Sequence, residues 1–468
     1  MEPMDQSHIF GGGAAASVMT PFVMILLVLL CVLILSLPRR FVIVPVLSGA
    51  FLVWLPAQIY LLGVHWLVFR ILILVGLLRV LASSPEGKGK PSRFIGGFTG
   101  IDRAFLFWII TQSVCVVLLF PEQGAVINQF GYLVDFLGGY FLIRFLIRNE
   151  SDLFLAIKCL AVLSVILAAS MIVEQLRLTN YLAQLAGVAK SAEIREGKIR
   201  SQGVFQHSIT AGTVGATWVP LFFLLWRNGK SRILAIVGFI GASIITYTSQ
   251  SSTPLLAYAA VFVALAFWPI KHKMRTVRWA IVLSIAGLAM VMKAPVWFLI
   301  AHIDLTGGSS GYHRAQLIDN FVRHFWDWWL IGVKDTSSWG YDLWDVQNQY
   351  VSTGETGGLL AFCFLIVLVT RCFVRLGDAR KKIAGDKNQE WLLWFLACAL
   401  FSNALAFIGV NYFDQSRVSW FLIVAAICAA TSPMLEKTAE EPVPQETTGS
   451  RLQSGFQSIP NVSKLNLR

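Results

Sequence analysis

Long apolar stretches separated by short polar ones run along the chain from residue 19 to residue 433. A helix that crosses a bilayer needs about 20 mostly apolar residues. Such windows fall at 19–37, 41–63, 66–82, 105–120, 126–147, 153–173, 204–226, 233–248, 254–270, 279–300, 357–374, 391–410 and 418–433. The pattern predicts an all-α integral membrane protein of about 12–14 transmembrane helices with a large exterior loop between late helices. Pro45 and Pro56 make the 41–82 region the ambiguous one, where a break or a re-entrant turn fits as well as two full spans.

Composition agrees with this class and excludes a soluble globular chain: 56% of the 468 residues are hydrophobic and only 14% charged. Charge then orients the spans. The basic segments 38–40, 88–93, 227–232, 271–278 and 371–387 share one face if the N-terminus starts outside, and short loops rich in lysine and arginine stay cytoplasmic. The expected layout is a short exterior N-terminus at 1–18, a transmembrane domain at 19–433 with exterior loops 174–203 and 301–355, and a disordered cytoplasmic tail at 434–468. The acidic residues before the first apolar run, and the lack of an A-x-A-like end to it, read as a retained helix rather than a cleaved signal.

Several kinds of chemistry find no support. All seven cysteines fall in or beside apolar runs, and the seven histidines form no H-x-x-x-H or H-E-x-x-H arrangement. A phosphate loop and a dinucleotide-binding glycine fingerprint are both missing from the sequence. No metal or other cofactor and no nucleic-acid partner is therefore expected, and the driving force must come from the substrate or a gradient.

Two polar segments stand out. The 301–355 loop carries acids, three of the seven histidines and many aromatics. The 174–203 loop breaks the charge rule, placing Arg177, Lys190, Arg195, Lys198 and Arg200 outside beside Glu174, Glu193 and Glu196. A cationic exterior loop suits a phosphate or pyrophosphate group. Lipid head-group contact or a solvated amphipathic helix fits the spacing too. Within spans, Asp135 and Arg144 lie nine positions apart, as do Arg70 and Arg79. Ionised side chains in hydrocarbon face polar interiors or snorkel to the interface.

The run Ile199-Arg200-Ser201-Gln202-Gly203-Val204-Phe205-Gln206-His207-Ser208 resembles the R-x-x-G-x-F-x-H-P segment of the O-antigen ligase and O-antigen polymerase-like membrane glycosyltransferases. A second stretch is similar to that family's large exterior loop. It runs from Gly311-Tyr312-His313-Arg314 through Trp328-Trp329-Leu330-Ile331-Gly332 to Gln347-Asn348-Gln349-Tyr350 and Glu355-Thr356-Gly357-Gly358. The resemblance covers residues 102–433.

This resemblance implies transfer of a glycan from a polyprenyl-pyrophosphate carrier to an acceptor glycan at the outer face of a bacterial cytoplasmic membrane. Membrane lipids and other polysaccharide-assembly proteins would be neighbours. Arg200 and Arg314 match the family's motif arginines and would hold the leaving pyrophosphate without a metal. Arg195 and Lys198 would assist, and Arg144 resembles the arginine that closes an earlier family helix. Where the ligases carry a histidine before the asparagine, this chain has Gln347, which takes no proton at neutral pH. The polymerase-like members fit better for that reason, and His313, Asp345, Glu355 and Glu174 are the remaining base candidates. Asn348 and Tyr350 would align the acceptor. Trp329, with Trp326, Trp328, Trp339, Trp344, Tyr312 and Tyr341, would stack on sugar rings or anchor the loop at the interface. An O-antigen ligase or protein O-oligosaccharyltransferase differs mainly in acceptor. A lipid-linked sugar flippase could use the same charges, and a non-catalytic assembly scaffold is the third reading.

Overall fold

The computed structural model describes residues 17–61, 64–83, 93–302, 311–383 and 385–436. The expected N-terminal segment 1–18 lies almost wholly outside these, as does the expected tail beyond Glu436. Helices α1 (Pro21–Ser36), α2 (Ile43–Leu52), α3 (Val68–Ala82), α4 (Gly100–Leu119), α5 (Gln123–Leu133) and α6 (Gly139–Leu146) lead into α7 (Glu150–Arg177) and the short α8 (Tyr181–Leu185). They are followed by α9 (Ser208–Arg227), α10 (Arg232–Thr248), α11 (Ser252–Ala266), α12 (Met274–Val291), α13 (Gly311–Arg323), α14 (Phe325–Trp328), α15 (Gln349–Lys382), α16 (Lys387–Ala406) and α17 (Ser416–Glu436). A π-helical segment, Val134–Gly138, joins α5 to α6, and a 3-10 turn, Trp268–Lys273, leads into α12. Among the described residues seven helical segments are long and apolar enough to cross a membrane, and α1, α10 and α11 are shorter apolar helices. The protein is an all-α membrane protein.

One predicted span and one predicted loop take more definite shapes. The 41–63 stretch yields only α2, after which Pro56 sits in a turn that opens an antiparallel hairpin of β1 (Gln58–Leu61) and β2 (Val64–Leu67). The 301–355 loop is largely structured: α13, α14 and the segment after them pack Leu317, Phe321, Trp328, Trp339 and Leu343 against Val351 of α15. Trp328 and Trp339 are thus core residues and not sugar platforms; Trp328 stacks on Phe321 with ring centres 4.0 Å apart. Trp326, Trp329, Trp344, Tyr312 and Tyr341 stay exposed.

The W-x-x-G and E-T-G-G pieces meet. Helix α15 breaks at Gly358 (φ +65°), and the chain after α14 fills the break. The Leu359 N–H donates to the Trp329 carbonyl and the Val333 N–H to the Glu355 carbonyl, both at 2.8 Å. A Cβ on Gly358 would come within 2.5 Å of the Leu330 carbonyl oxygen, and one on Gly332 (φ +99°) would strike the Glu355 carbonyl oxygen. Gly332→Ala adds left-handed strain to a backbone clash and is expected to cost about 2–3 kcal/mol. The readout is a lower thermal midpoint in detergent, with the 311–348 segment cleaved earlier by trypsin; an unchanged midpoint would rule this packing out.

Contacts sort the helix connections into two ends. At one end Arg39 pairs with Asp152 at 3.0 Å and Arg148 donates to the Arg93 carbonyl at 3.1 Å. Lys271 pairs there with Glu390, and the Arg227 guanidinium lies over Trp391. The basic connections 38–40, 227–232, 271–278 and 371–387 therefore gather at this end. At the other end Thr20 donates to the Leu185 carbonyl at 2.6 Å, and Gln415 reaches the carbonyls of Val53 and Val204 at 3.3 and 3.1 Å. The Gln349 N–H donates to the Phe407 carbonyl at 2.8 Å. Segments 178–207 and 311–348 lie at that second end.

Candidate functional site

The 174–203 segment closes α7, forms the short α8 and ends in a hairpin that carries most of its basic residues. Strands β3 (Glu193–Arg195) and β4 (Lys198–Arg200) pair antiparallel, placing Glu193 opposite Arg200 and Arg195 opposite Lys198. Glu196 (φ 51°) and Gly197 (φ 74°) make the two-residue turn, whose positive φ values match the twist of paired strands. Arg195 and Lys198 are exposed near the tip. Arg200, at the base, pairs with Glu193 at 2.9 Å and donates to Ser251 Oγ at 2.5 Å.

Glu174 fixes that base. Its carboxylate accepts the N–H groups of Gln202 (3.1 Å) and Gly203 (2.8 Å) and the Asn180 side chain (3.5 Å), and it is buried. Asn180 also donates to the Gly203 carbonyl at 2.6 Å. Glu174, expected as a substrate ligand or base, has its oxygens engaged by the turn that carries Arg200.

Arg314 enters from the other loop. It lies in the first turn of α13 with 7% of its surface exposed, and it makes no hydrogen bond or ion pair among the described residues. Its Nε is 3.1 Å from where a Cβ on Gly409 would stand, and Thr253 Oγ1 flanks the same point at 2.5 Å. Burial, with the like charges of Arg195 and Arg200, pushes Arg314 down to about 10. Burial lowers Arg200 as well; Glu193 opposes this and Arg195 adds to it. The two basic loops thus converge, and among the described residues the charges that bear on Arg314 are those of Arg195 and Arg200. A buried guanidinium without a partner is costly. An anion that hydrogen-bonds to it removes that cost.

Small hydroxyls and orphaned polar atoms sit around the same end of the bundle. Thr210 donates to Asp414 at 2.7 Å, and the His207 ring packs edge-on to Phe413. Ser208 Oγ, Ser416 Oγ, Gln202 Oε1 and the Nε atoms of Arg200 and Arg314 are buried without a hydrogen-bond partner among the described residues.

The other expected residues divide clearly. His313 donates from Nε2 to the Asp342 carbonyl at 2.8 Å, because a carbonyl only accepts, and this leaves Nδ1 as a base. As the neighbour of Arg314 it projects about 100° away around the helix. Glu355 neighbours Asp335 and makes no side-chain hydrogen bond among the described residues. Trp329 is exposed against Trp326. Three expected residues are engaged elsewhere in the fold. Asn348 caps α15, accepting the N–H groups of Tyr350 and Val351 while donating to the Ile408 carbonyl at 3.0 Å. Tyr350 donates to the Ala404 carbonyl at 2.9 Å and packs on Phe407. Arg144 is fully buried at the opposite, basic end, 3.5 Å from Asp102 and bonded to the Ile95 carbonyl, so it cannot touch a ligand held by Arg314.

Sequence reasoning passed over Ser251, Thr253, Asp414 and Arg417. The signals were the hydroxyl-rich turn 249–253 and the polar run 414–417, each between apolar helices. No protein-family model matches the chain, and no curated protein matches it by sequence.

Proposed function

We propose that the protein is a lipid-pyrophosphate-dependent glycosyltransferase, a polysaccharide polymerase that works at the outer face of a bacterial cytoplasmic membrane. The observation that carries this reading is Arg314, buried and, among the described residues, unpartnered beside two further arginines at the loop-bearing end. In the proposed reaction an acceptor sugar hydroxyl attacks the anomeric carbon of the donor glycan. The bond from that carbon to the pyrophosphate oxygen breaks, and polyprenyl pyrophosphate leaves with the electron pair. Arg314 and Arg200 hold the leaving group bidentately and stabilise its growing charge. Arg195 raises the local potential, and His313 Nδ1 is the available acceptor for the hydroxyl proton. The basic end faces the cytoplasm in this reading, which puts both termini of the membrane domain where the charge rule expects them.

The reading predicts that inorganic pyrophosphate stabilises the detergent-purified protein. A ligand at about 100 times its Kd adds about 2.7 kcal/mol. A thermal midpoint several degrees higher with pyrophosphate, and no such rise in Arg200→Gln/Arg314→Gln, is the expected pair of results. No rise in the wild type would sink the proposed leaving-group site.

A further inference from the structure

Helix α12 stands apart from the rest of the bundle: none of its 18 residues is buried. Its lower end is nevertheless firmly held. Trp268 stacks on Trp391 with ring centres 3.6 Å apart, Lys271 pairs with Glu390, and the Arg380 side chain donates to the Lys271 carbonyl. Just beyond this anchor, Arg275, Arg278, Trp279 and Val282 line a pocket of about 240 Å³. Their spacing of three, four and seven puts them on one helix face.

Charge distinguishes this pocket from an ordinary lipid-facing surface. Lys271 is neutralised by Glu390, whereas Arg275 and Arg278 have no acidic partner among the described residues. No aspartate or glutamate occurs anywhere from Gly197 to Ile303. The Arg278 Nε donates to the Met274 carbonyl at 3.3 Å, which lays the guanidinium along the helix. Above the two arginines Trp279 and Val282 are exposed and apolar. Cationic groups followed by an indole and then aliphatic surface match, in order, a phosphate, the glycerol and ester level, and an acyl chain.

We propose that this face of α12 is a binding site for an anionic phospholipid, with the headgroup phosphate held by Arg275 and Arg278 and one acyl chain lying along Trp279 and Val282. The lipid gives α12 the packing partner that the protein does not, and it ties the helix to its anchor at the basic end. The site is remote from the Arg314 cluster and does not depend on the proposed reaction.

The test is native mass spectrometry of delipidated protein titrated with phosphatidylglycerol or phosphatidylcholine. Wild type is compared with Arg275→Gln/Arg278→Gln and, as a charge control at the same end, Lys230→Gln. The expected result is preferential retention of phosphatidylglycerol by wild type and Lys230→Gln. That preference should fall by about tenfold or more in the double variant, since each arginine at an anionic surface contributes a factor of about five. No preference in wild type, an undiminished preference in the double variant, or an equal loss in Lys230→Gln would overturn the site.

Discussion

Replacing Arg314 by lysine is expected to slow elongation of lipid-linked glycan by about 10²-fold or more while the protein still folds. Lysine keeps the positive charge and most of the stem, so the buried environment beside Gly409 and Thr253 is little changed. What it loses is the planar fork that grips two phosphate oxygens at once. A general charge effect would leave lysine nearly as active as arginine. Chain-length analysis of lipid-linked products, together with a thermal midpoint for each variant, separates these outcomes; near-normal elongation by Arg314→Lys would remove Arg314 from the leaving-group site.

Asp135→Asn is expected to destabilise the fold by about 3–5 kcal/mol, the cost of leaving a buried partner charge uncompensated. Asp135 sits in the π-helical segment and accepts from Arg70 Nε at 2.9 Å and Nη2 at 2.8 Å. Arg417 at the start of α17 reaches the same carboxylate at 3.3 Å, and its guanidinium lies over Phe136. Both Asp135 and Arg417 are almost wholly buried. One carboxylate therefore balances two cations, and the neutral amide balances neither. Adding Arg417→Met to Asp135→Asn removes the more buried of the two orphaned charges, so the double variant should be more stable than Asp135→Asn alone. Urea or thermal unfolding in detergent reads this directly. Additive losses would mean that the triad is not a coupled unit.

The sequence pattern foresaw the membrane helices because about 20 apolar residues in a row have few other uses. It misjudged where the polar backbone needs of breaks and loops decide the outcome. The turn at Pro56 is among the outcomes left open for the 41–82 region, but the break at Gly358 is not: it interrupts α15 where another segment supplies the missing hydrogen bonds. The hairpin was partly visible: Ile194-Arg195-Glu196-Gly197-Lys198-Ile199 alternates about a two-residue turn, a signal masked by the segment's charge. Arg200 and Arg314 were legible as chemistry, but their proximity depends on tertiary packing through Ser251, Thr253 and Gly409, which no local pattern encodes. Asn348, Tyr350 and Glu174 share one structural feature that the sequence did not show: each holds a loop or helix end in shape through its hydrogen bonds.

The most direct measurement is on the wild-type protein in proteoliposomes, supplied with polyprenyl-pyrophosphate-linked oligosaccharide from its own host and followed by product length and by side of the membrane. The account predicts longer lipid-linked glycans together with released polyprenyl pyrophosphate. Donor that is moved intact across the vesicle wall, with no new glycosidic bond, would contradict it.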